Sequence, residues 1–345
     1  MKVGIAGASG YAGTELLRLI AGHPDLEVAV ATAAGHEGEA IAAHTPSLAA
    51  AYPSLHYAAT DAGTLDGLDL VFSALPHGAS QDLVPELLER VGRVVDLAAD
   101  FRLRDPALYP TWYGEPHRVP ELLGEAVYGL PELEREAIRG ARLVAVPGCY
   151  PTAAILGIAP LLEAGLMARP DAATPPLVVD AASGVSGAGR GAKEQLHFGT
   201  VAEDFVAYGL LDHRHTSEME QALGVPLLFT PHLAPMVRGI LVTAYGRPGP
   251  AAGSATSADA LAALRSRYAG EPFVVVVDGS PSTKATRGSN AVHVSARIDA
   301  RTGWVVALAA LDNLVKGAAG QALQCANLVL DLPEDRGLST TGLFP

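Results

Sequence analysis

Residues 2–20 read KVGIAGASGYAGTELLRLI. A short apolar strand leads through a glycine-rich turn into a helix, and few folds open this way. Leu16, Leu17, Leu19 and Ile20 place much of one helix face against a sheet, and Pro24 ends the helix. Gly7, Gly10 and Gly13 allow a tight turn and close approach of backbone to a pyrophosphate. The helix start adds free N–H groups and positive potential. The spacing is G-x-x-G-x-x-G, a variant of the usual G-x-G-x-x-G. Taken alone it fits either a plain glycine turn or a dinucleotide site.

Further strand-like runs follow: LEVAVATA (26–33), DLVFSAL (69–75), RVVDLAA (93–99) and RLVAVPG (142–148), with a helical SQDLVPELLERVG (80–92) among them. This alternation predicts an α/β fold with a parallel, doubly wound sheet of Rossmann type. Ligands in such sheets sit at the carboxyl ends of strands. The loops expected there are LPHG (75–78, with Leu75 and Pro76), ADFR (99–102) and PGCYP (147–151). The second strand should end near Thr32, followed by TAAGHEG without a carboxylate. An NAD-selective site usually places an acidic residue there for the ribose 2′-hydroxyl, so NADP is favoured. No arginine marks the extra phosphate, and Thr32 and His36 are the nearest candidates.

The chain's 345 residues imply two domains, and 49% hydrophobic content is enough for substantial cores. No apolar run is long enough to span a bilayer, and the first residues lack a signal-peptide pattern. Two cysteines make no disulfide framework, so a reducing cytoplasm is expected. A net charge of −13 argues against nucleic acid or an anionic membrane as partner. The stretches 168–176 and 247–258 read as surface connections.

Cys149 stands in AVPGCYPTA (145–153), followed by a helical run in which Ile155, Ile158, Leu161 and Leu162 share a face. Pro151 suits a first turn, so Cys149 lies at or just before a helix N-terminus. That position favours thiolate and makes the sulfur a nucleophile. Cys325, within NLVKGAAGQALQCANLVLDL, reads as core filler. A catalytic thiol needs an acid/base. In HRHTSE, His215 and Glu218 lie three apart on one helical face, where a carboxylate can orient an imidazole. A solvated polar loop fits the same letters. The two histidines make a poor zinc frame, and no metal site is expected.

GASGYAG, LPHG, DLAADFRL, YGLPEL, PGCYPTA, SGVSGAGR, HRHTSE and DNLVKGAAGQA occur in this order. Together they resemble the N-acetyl-γ-glutamyl-phosphate reductases, relatives of aspartate-semialdehyde dehydrogenase, over about residues 3–345. The resemblance implies NADPH-dependent reduction of an acyl phosphate, with release of phosphate, in arginine biosynthesis. It implies Cys149 as nucleophile, forming a thioester, and His215 as acid/base supported by Glu218. It implies that the turn of Gly7, Ser9, Gly10, Tyr11, Ala12 and Gly13 holds NADP. Ser186, Gly187 and Gly189 of the SGAG segment match a loop near the nicotinamide, and Asn313 an asparagine reaching the same end. Arg102, Arg190 and Arg214 match substrate contacts. Two departures stand out: Val146 where relatives often carry Asn, and Ser217 where HRHTPE is usual.

The runs PLVVDAASG, VPLLFTPHL, RGILVTAYG, EPFVVVVDG and NAVHVSARID predict an α+β second domain with a mixed or antiparallel sheet. The expected division is a cofactor domain of 1–148 and about 313–345, and a catalytic and oligomerisation domain of 149–312. Homo-oligomers, dimer or tetramer, and a small acyl-phosphate substrate are the expected partners. Two other readings are a lysine-pathway reductase of a carrier-linked aminoadipyl phosphate and a non-catalytic NADP-binding regulator. PGCYPTA and GVSGAGR favour the arginine substrate over the first. Retention of both Cys149 and His215 counts against the second.

Overall fold

The computed structural model describes residues 1–171, 173–174 and 176–344. Ala172 and Pro175, within the expected 168–176 connection, and Pro345 lie outside the described residues. The chain divides into two compact units, 1–147 with 318–338, and 148–317 with 339–345.

The first unit is built on β1 (Lys2–Ala6), β2 (Glu27–Thr32), β3 (Leu70–Ser73), β4 (Val94–Asp96), β5 (Val127–Tyr128) and β6 (Leu143–Ala145). Their order is β2-β1-β3-β4-β6-β5 and every pairing is parallel, as the strand–helix alternation requires. Leu16 and Leu17 of the Tyr11–Ile20 helix are fully buried. Each such leucine contributes about 1.5–3 kcal/mol relative to exposure. Leu65, Val84, Leu87, Phe101 and Leu143 form a second buried cluster. Late in the chain, the Gly320–Val329 helix returns to pack on β4 and on the Tyr11–Ile20 helix.

The second unit carries β7 (Leu177–Gly184), β8 (Val206–Ala207), β9 (Leu227–Ala234), β10 (Ile240–Gly246), β11 (Val274–Val276), β12 (Val292–Ile298) and β13 (Val305–Leu311). The seven-stranded sheet runs β11-β12-β13-β10-β7-β9-β8. It is mixed: β7–β9 and β11–β12 are parallel, the other pairs antiparallel. The Cys149–Glu163 helix lies on β10 and β13, buried from Tyr150 through Leu162. The Ser257–Arg267 helix covers β12 behind a Thr256–Asp259 capping box.

Two features depart from the sequence expectation. The division falls elsewhere, because Asn313 and the 339–344 tail are tied to the second unit. Asn313 accepts from Gly239 N–H at 2.8 Å, Ser339 O accepts from Asn290 N–H at 2.7 Å, and Leu343 N–H donates to Arg287 O at 2.7 Å. The NLVKGAAGQALQCANLVLDL run (313–332) is also not plain α-helix at its start. Its first turn is π-helical (Val315–Ala319), and α-helix runs from Gly320.

Candidate active site

Cys149 is the first residue of its helix. Gly148, the residue before, is extended and offers no side chain to cap the first turn. The first-turn N–H groups therefore face whatever stands at the thiol. The thiol itself is half-buried. Gly317 makes room for it, since a Cβ there would lie 2.7 Å from Cys149 Cβ.

The His215–Leu223 helix begins at His215. The His215 ring packs over Gly148, and any side chain at Gly148 would collide with it. Glu218, one turn on, is 0% exposed. One carboxylate oxygen lies 3.8 Å from His215 Nε2, while the other accepts the Gly148 N–H at 2.9 Å. A single buried carboxylate thus joins the imidazole to the backbone next to Cys149. Ser217 Oγ donates to Arg214 O at 2.8 Å, so the serine in place of the usual proline still braces the helix start.

His213 plays another part. Its Nδ1 accepts the His215 N–H at 3.2 Å, and its ring meets Tyr150 and Phe229 edge-on at 5.8 and 5.3 Å. Burial, then the Arg214 charge, push its pKa down to about 4, so it is neutral at ordinary pH. Tyr208 donates to the Tyr150 hydroxyl at 3.2 Å, and Tyr150 donates to His232 O at 3.1 Å. Burial raises Tyr208 to about 12.

These groups border a cavity of about 570 Å³, which Cys149, Tyr208, His213, Arg214, His215 and Lys193 help to line. Lys193, Tyr150 and Tyr208 are absent from the sequence-based set. Tyr150 follows the thiol directly and could have been found by adjacency. Lys193 and Tyr208 sit in irregular segments without a readable period. Gly187 lines the cavity; Ser186 Oγ accepts from Asn313 Nδ2 at 2.9 Å. Asn313 is 2% exposed and its amide holds this turn against Gly239. Gly189 has φ +84°, open to glycine at little cost. Arg190 is exposed and is not among the cavity's lining residues.

In the first unit, Gly7 turns with φ +82°. The Gly7 and Ala8 N–H groups donate to Thr32 O at 3.1 and 2.8 Å, locking the turn to the end of β2. The Thr32 side chain is buried and accepts from Thr60 Oγ1 at 2.9 Å, so it presents no surface to a ligand. Space beside Gly10 is open, with only Gly7 O within 4 Å of a Cβ built there. No side chain caps the helix that starts at Tyr11, and Gly13 presses against Ala8. Ser9 and Ala12 are half-buried and Tyr11 is exposed. A Cβ on Gly7 would lie 3.3 Å from the Leu75 side chain, which brings the LPHG loop to this turn. Pro76 is exposed. The loop is anchored by Asp100, which accepts from Gly78 and Ser80 N–H at 2.9 and 3.1 Å and pairs with His77. Burial pushes Asp100 up, but the His77 and Gly78 bonds prevail and hold its pKa below the usual range. Arg102 is buried, with Nη2 donating to Leu97 O at 2.8 Å. An uncapped helix start behind a locked glycine turn fits a dinucleotide pyrophosphate.

A family model described as semialdehyde dehydrogenase, NAD binding domain, matches residues 2–141, and one described as semialdehyde dehydrogenase, dimerisation domain, matches 149–313. The class is therefore that of oxidoreductases of the semialdehyde dehydrogenase type. N-acetyl-γ-glutamyl-phosphate reductases from Ectopseudomonas mendocina and Pseudomonas aeruginosa are 48% and 47% identical, each over 100% of both chains. The enzyme of that name from Symbiobacterium thermophilum is 48% identical over 99% of this chain and 98% of its own. The chain belongs to the N-acetyl-γ-glutamyl-phosphate reductase family. Among solved structures, an aspartate-semialdehyde dehydrogenase with NADP from Candida albicans matches 95% of this chain and 98% of its own, with TM-score 0.72 and 17% identity. Aspartate-semialdehyde dehydrogenase II from Vibrio cholerae, complexed with ASA, has TM-score 0.71 and 16% identity over 96% of this chain and 98% of its own. These two show the shared fold.

Proposed function

We propose that this chain reduces N-acetyl-γ-glutamyl phosphate to N-acetylglutamate semialdehyde with release of phosphate, in arginine biosynthesis. The observation that carries the reading is the Glu218 carboxylate, shared between the His215 imidazole and the Gly148 N–H beside Cys149.

His215 takes the Cys149 proton, and buried Glu218 steadies the imidazolium that results. The thiolate attacks the γ-acyl carbon, the carbon–oxygen bond to phosphate breaks, and a thioester remains on Cys149. Backbone N–H groups at the helix start are placed to steady an oxyanion at that carbon. When bound, the reduced nicotinamide dinucleotide supplies a hydride. His215 protonates the resulting oxygen and takes the proton back as the carbon–sulfur bond breaks and aldehyde leaves. Arg214 and Lys193 line the cavity and are proposed to meet substrate anions, with Arg102 and Arg190 as further candidates by motif.

Gly7, Ser9, Gly10, Tyr11, Ala12 and Gly13, with Leu75 and Pro76, are proposed to hold the dinucleotide, and Ser186, Gly187, Gly189 and Asn313 to shape the nicotinamide end. NADP is proposed over NAD because the end of β2 bears no carboxylate to repel a 2′-phosphate. The proposed site of action is the cytoplasm; among the described residues, no helix is long and apolar enough to cross a membrane. The test is oxidation of a semialdehyde in the presence of phosphate, comparing the N-acetylglutamate, aspartate and carrier-linked aminoadipate compounds. The N-acetylated substrate should give the highest kcat/KM by orders of magnitude. A preference for the carrier-linked compound would move the chain to the lysine pathway.

A further inference from the structure

We propose that His36, Glu39 and His44, in the segment after β2, form a binding site for one divalent transition-metal ion of the Zn²⁺ type. One ligand atom from each of the three lies within 4.8 Å of the others. His36 Nδ1 and Glu39 Oε2 are already 3.1 Å apart. Zinc bonds of about 2.0–2.2 Å place tetrahedral ligands roughly 3.3–3.6 Å from one another. Closing the set therefore needs a shift of about 1 Å at His44, within the reach of side-chain rotation.

The backbone that carries these groups is firmly held. Glu39 N–H donates to His36 O at 3.0 Å, Gly38 N–H to Tyr57 O at 2.8 Å, Tyr57 N–H to Glu39 O at 2.9 Å, and Ile41 N–H to Leu55 O at 3.0 Å. Gly38 takes φ +82°, which lets the chain turn between the first two ligands. His44 ends the short Ile41–His44 helix. The buried Tyr57 ring forms a floor, 5.8 Å from the His44 ring and 6.2 Å from that of His36. The two imidazoles stand 4.2 Å apart, tilted by 49°. Two nitrogens and one carboxylate select Zn²⁺, Co²⁺ or Ni²⁺ over Mg²⁺ or Ca²⁺ and leave the fourth position to water. The proposed chemical steps use none of these residues, and His36 is the one of the three that the sequence also places near a cofactor 2′-phosphate.

The experiment uses the full chain with Cys149→Ser, so that the half-exposed thiol supplies no ligand. The chelator-stripped protein is titrated with Co²⁺ and then with Zn²⁺. One Co²⁺ per chain should give the visible absorption of a tetrahedral nitrogen–oxygen site, and one Zn²⁺ should displace it. His36→Asn, Glu39→Gln and His44→Asn should each weaken binding by about tenfold or more. His56→Asn, an exposed imidazole outside the cluster, should leave it unchanged. If His44→Asn lowers the thermal transition of the metal-free chain, His36→Asn on the more open turn carries the test. No stoichiometric Co²⁺ binding at micromolar concentration, or binding undiminished in the His36 and His44 variants, overturns the proposal.

Discussion

At the scale of single residues, the two cysteines separate by environment. Cys149 is half-buried at a helix start, where thiolate is favoured. Cys325 is fully buried, and its S–H donates to Gly129 O at 3.4 Å. Cys149→Ser should abolish turnover while NADPH titration by fluorescence still shows binding. Cys325→Ser keeps a donor for Gly129 and should keep the chemical step. A dead but folded Cys325→Ser enzyme would mean that the wrong thiol was chosen. The two histidines of HRH separate in the same way. General acid–base groups contribute about 10²–10⁴-fold, so His215→Asn should lower kcat within that range. His213→Asn should cost thermal stability through the lost His215 N–H bond and ring packing, and much less of kcat. Glu218→Gln keeps an oxygen for the Gly148 N–H but loses the charge, so an intermediate fall in kcat is expected. Steady-state kinetics on the three variants, each checked by its melting curve, decide the assignment. A near-normal His215→Asn enzyme would require another base.

At the scale of elements, buried polar groups at strand ends were the least legible part. Asp96 ends β4, accepts from Ser80 Oγ at 2.7 Å, and is fully buried. Burial raises its pKa from 3.8 to about 6. The folded chain therefore holds that proton between about pH 4 and 6 while the unfolded chain releases it. Stability from this group is fully present below about pH 4 and lost as pH rises through about 6, on the order of 3 kcal/mol at most. Asp96→Asn should raise the melting temperature at pH 8 and change it little at pH 4.5, read by scanning calorimetry at both. An equal effect at the two values would show that Asp96 does not titrate in this window. Nothing in RVVDLAA reveals such a group, because the letters carry no depth. The strands themselves were legible, since β1–β4, β6 and β7 are short apolar runs bounded by turns. β13 was not, because GWVVALAALDN runs without a break into a further apolar stretch, and a continuous apolar run has no period to read. The two-residue β8 was likewise missed. Cys149, His215 and Glu218 were legible by motif and spacing. The Glu218–Gly148 bond that joins them links residues 70 apart in sequence, and only the folded chain displays it.

At the scale of the molecule, the second unit has a sheet face that its own helices leave bare. Strand register aligns Leu228, Val178, Tyr245, Val306 and Arg297 in one row across β9, β7, β10, β13 and β12. Side chains paired across strands point to the same face of a sheet. The Cys149–Glu163 and Ser257–Arg267 helices pack on this sheet, and Val179, Ala244 and Ala307, one position away, are buried. Leu228 and Tyr245 in the row are exposed, as are Val275 and Trp304 elsewhere in the unit. Exposed apolar surface of this kind marks an interaction site in soluble proteins. We infer that the face pairs with a second copy, which agrees with a dimerisation-domain match over 149–313. Tyr245→Glu would bury a carboxylate in that pairing, at a cost too large for an interface to absorb without a partner cation. It sits on the opposite side from the buried positions, so folding of the unit should survive. Light scattering after size exclusion should show a dimer or larger assembly for the parent and a shift toward monomer for Tyr245→Glu, with an unchanged circular dichroism spectrum. An unchanged mass for a folded Tyr245→Glu chain would place the interface elsewhere.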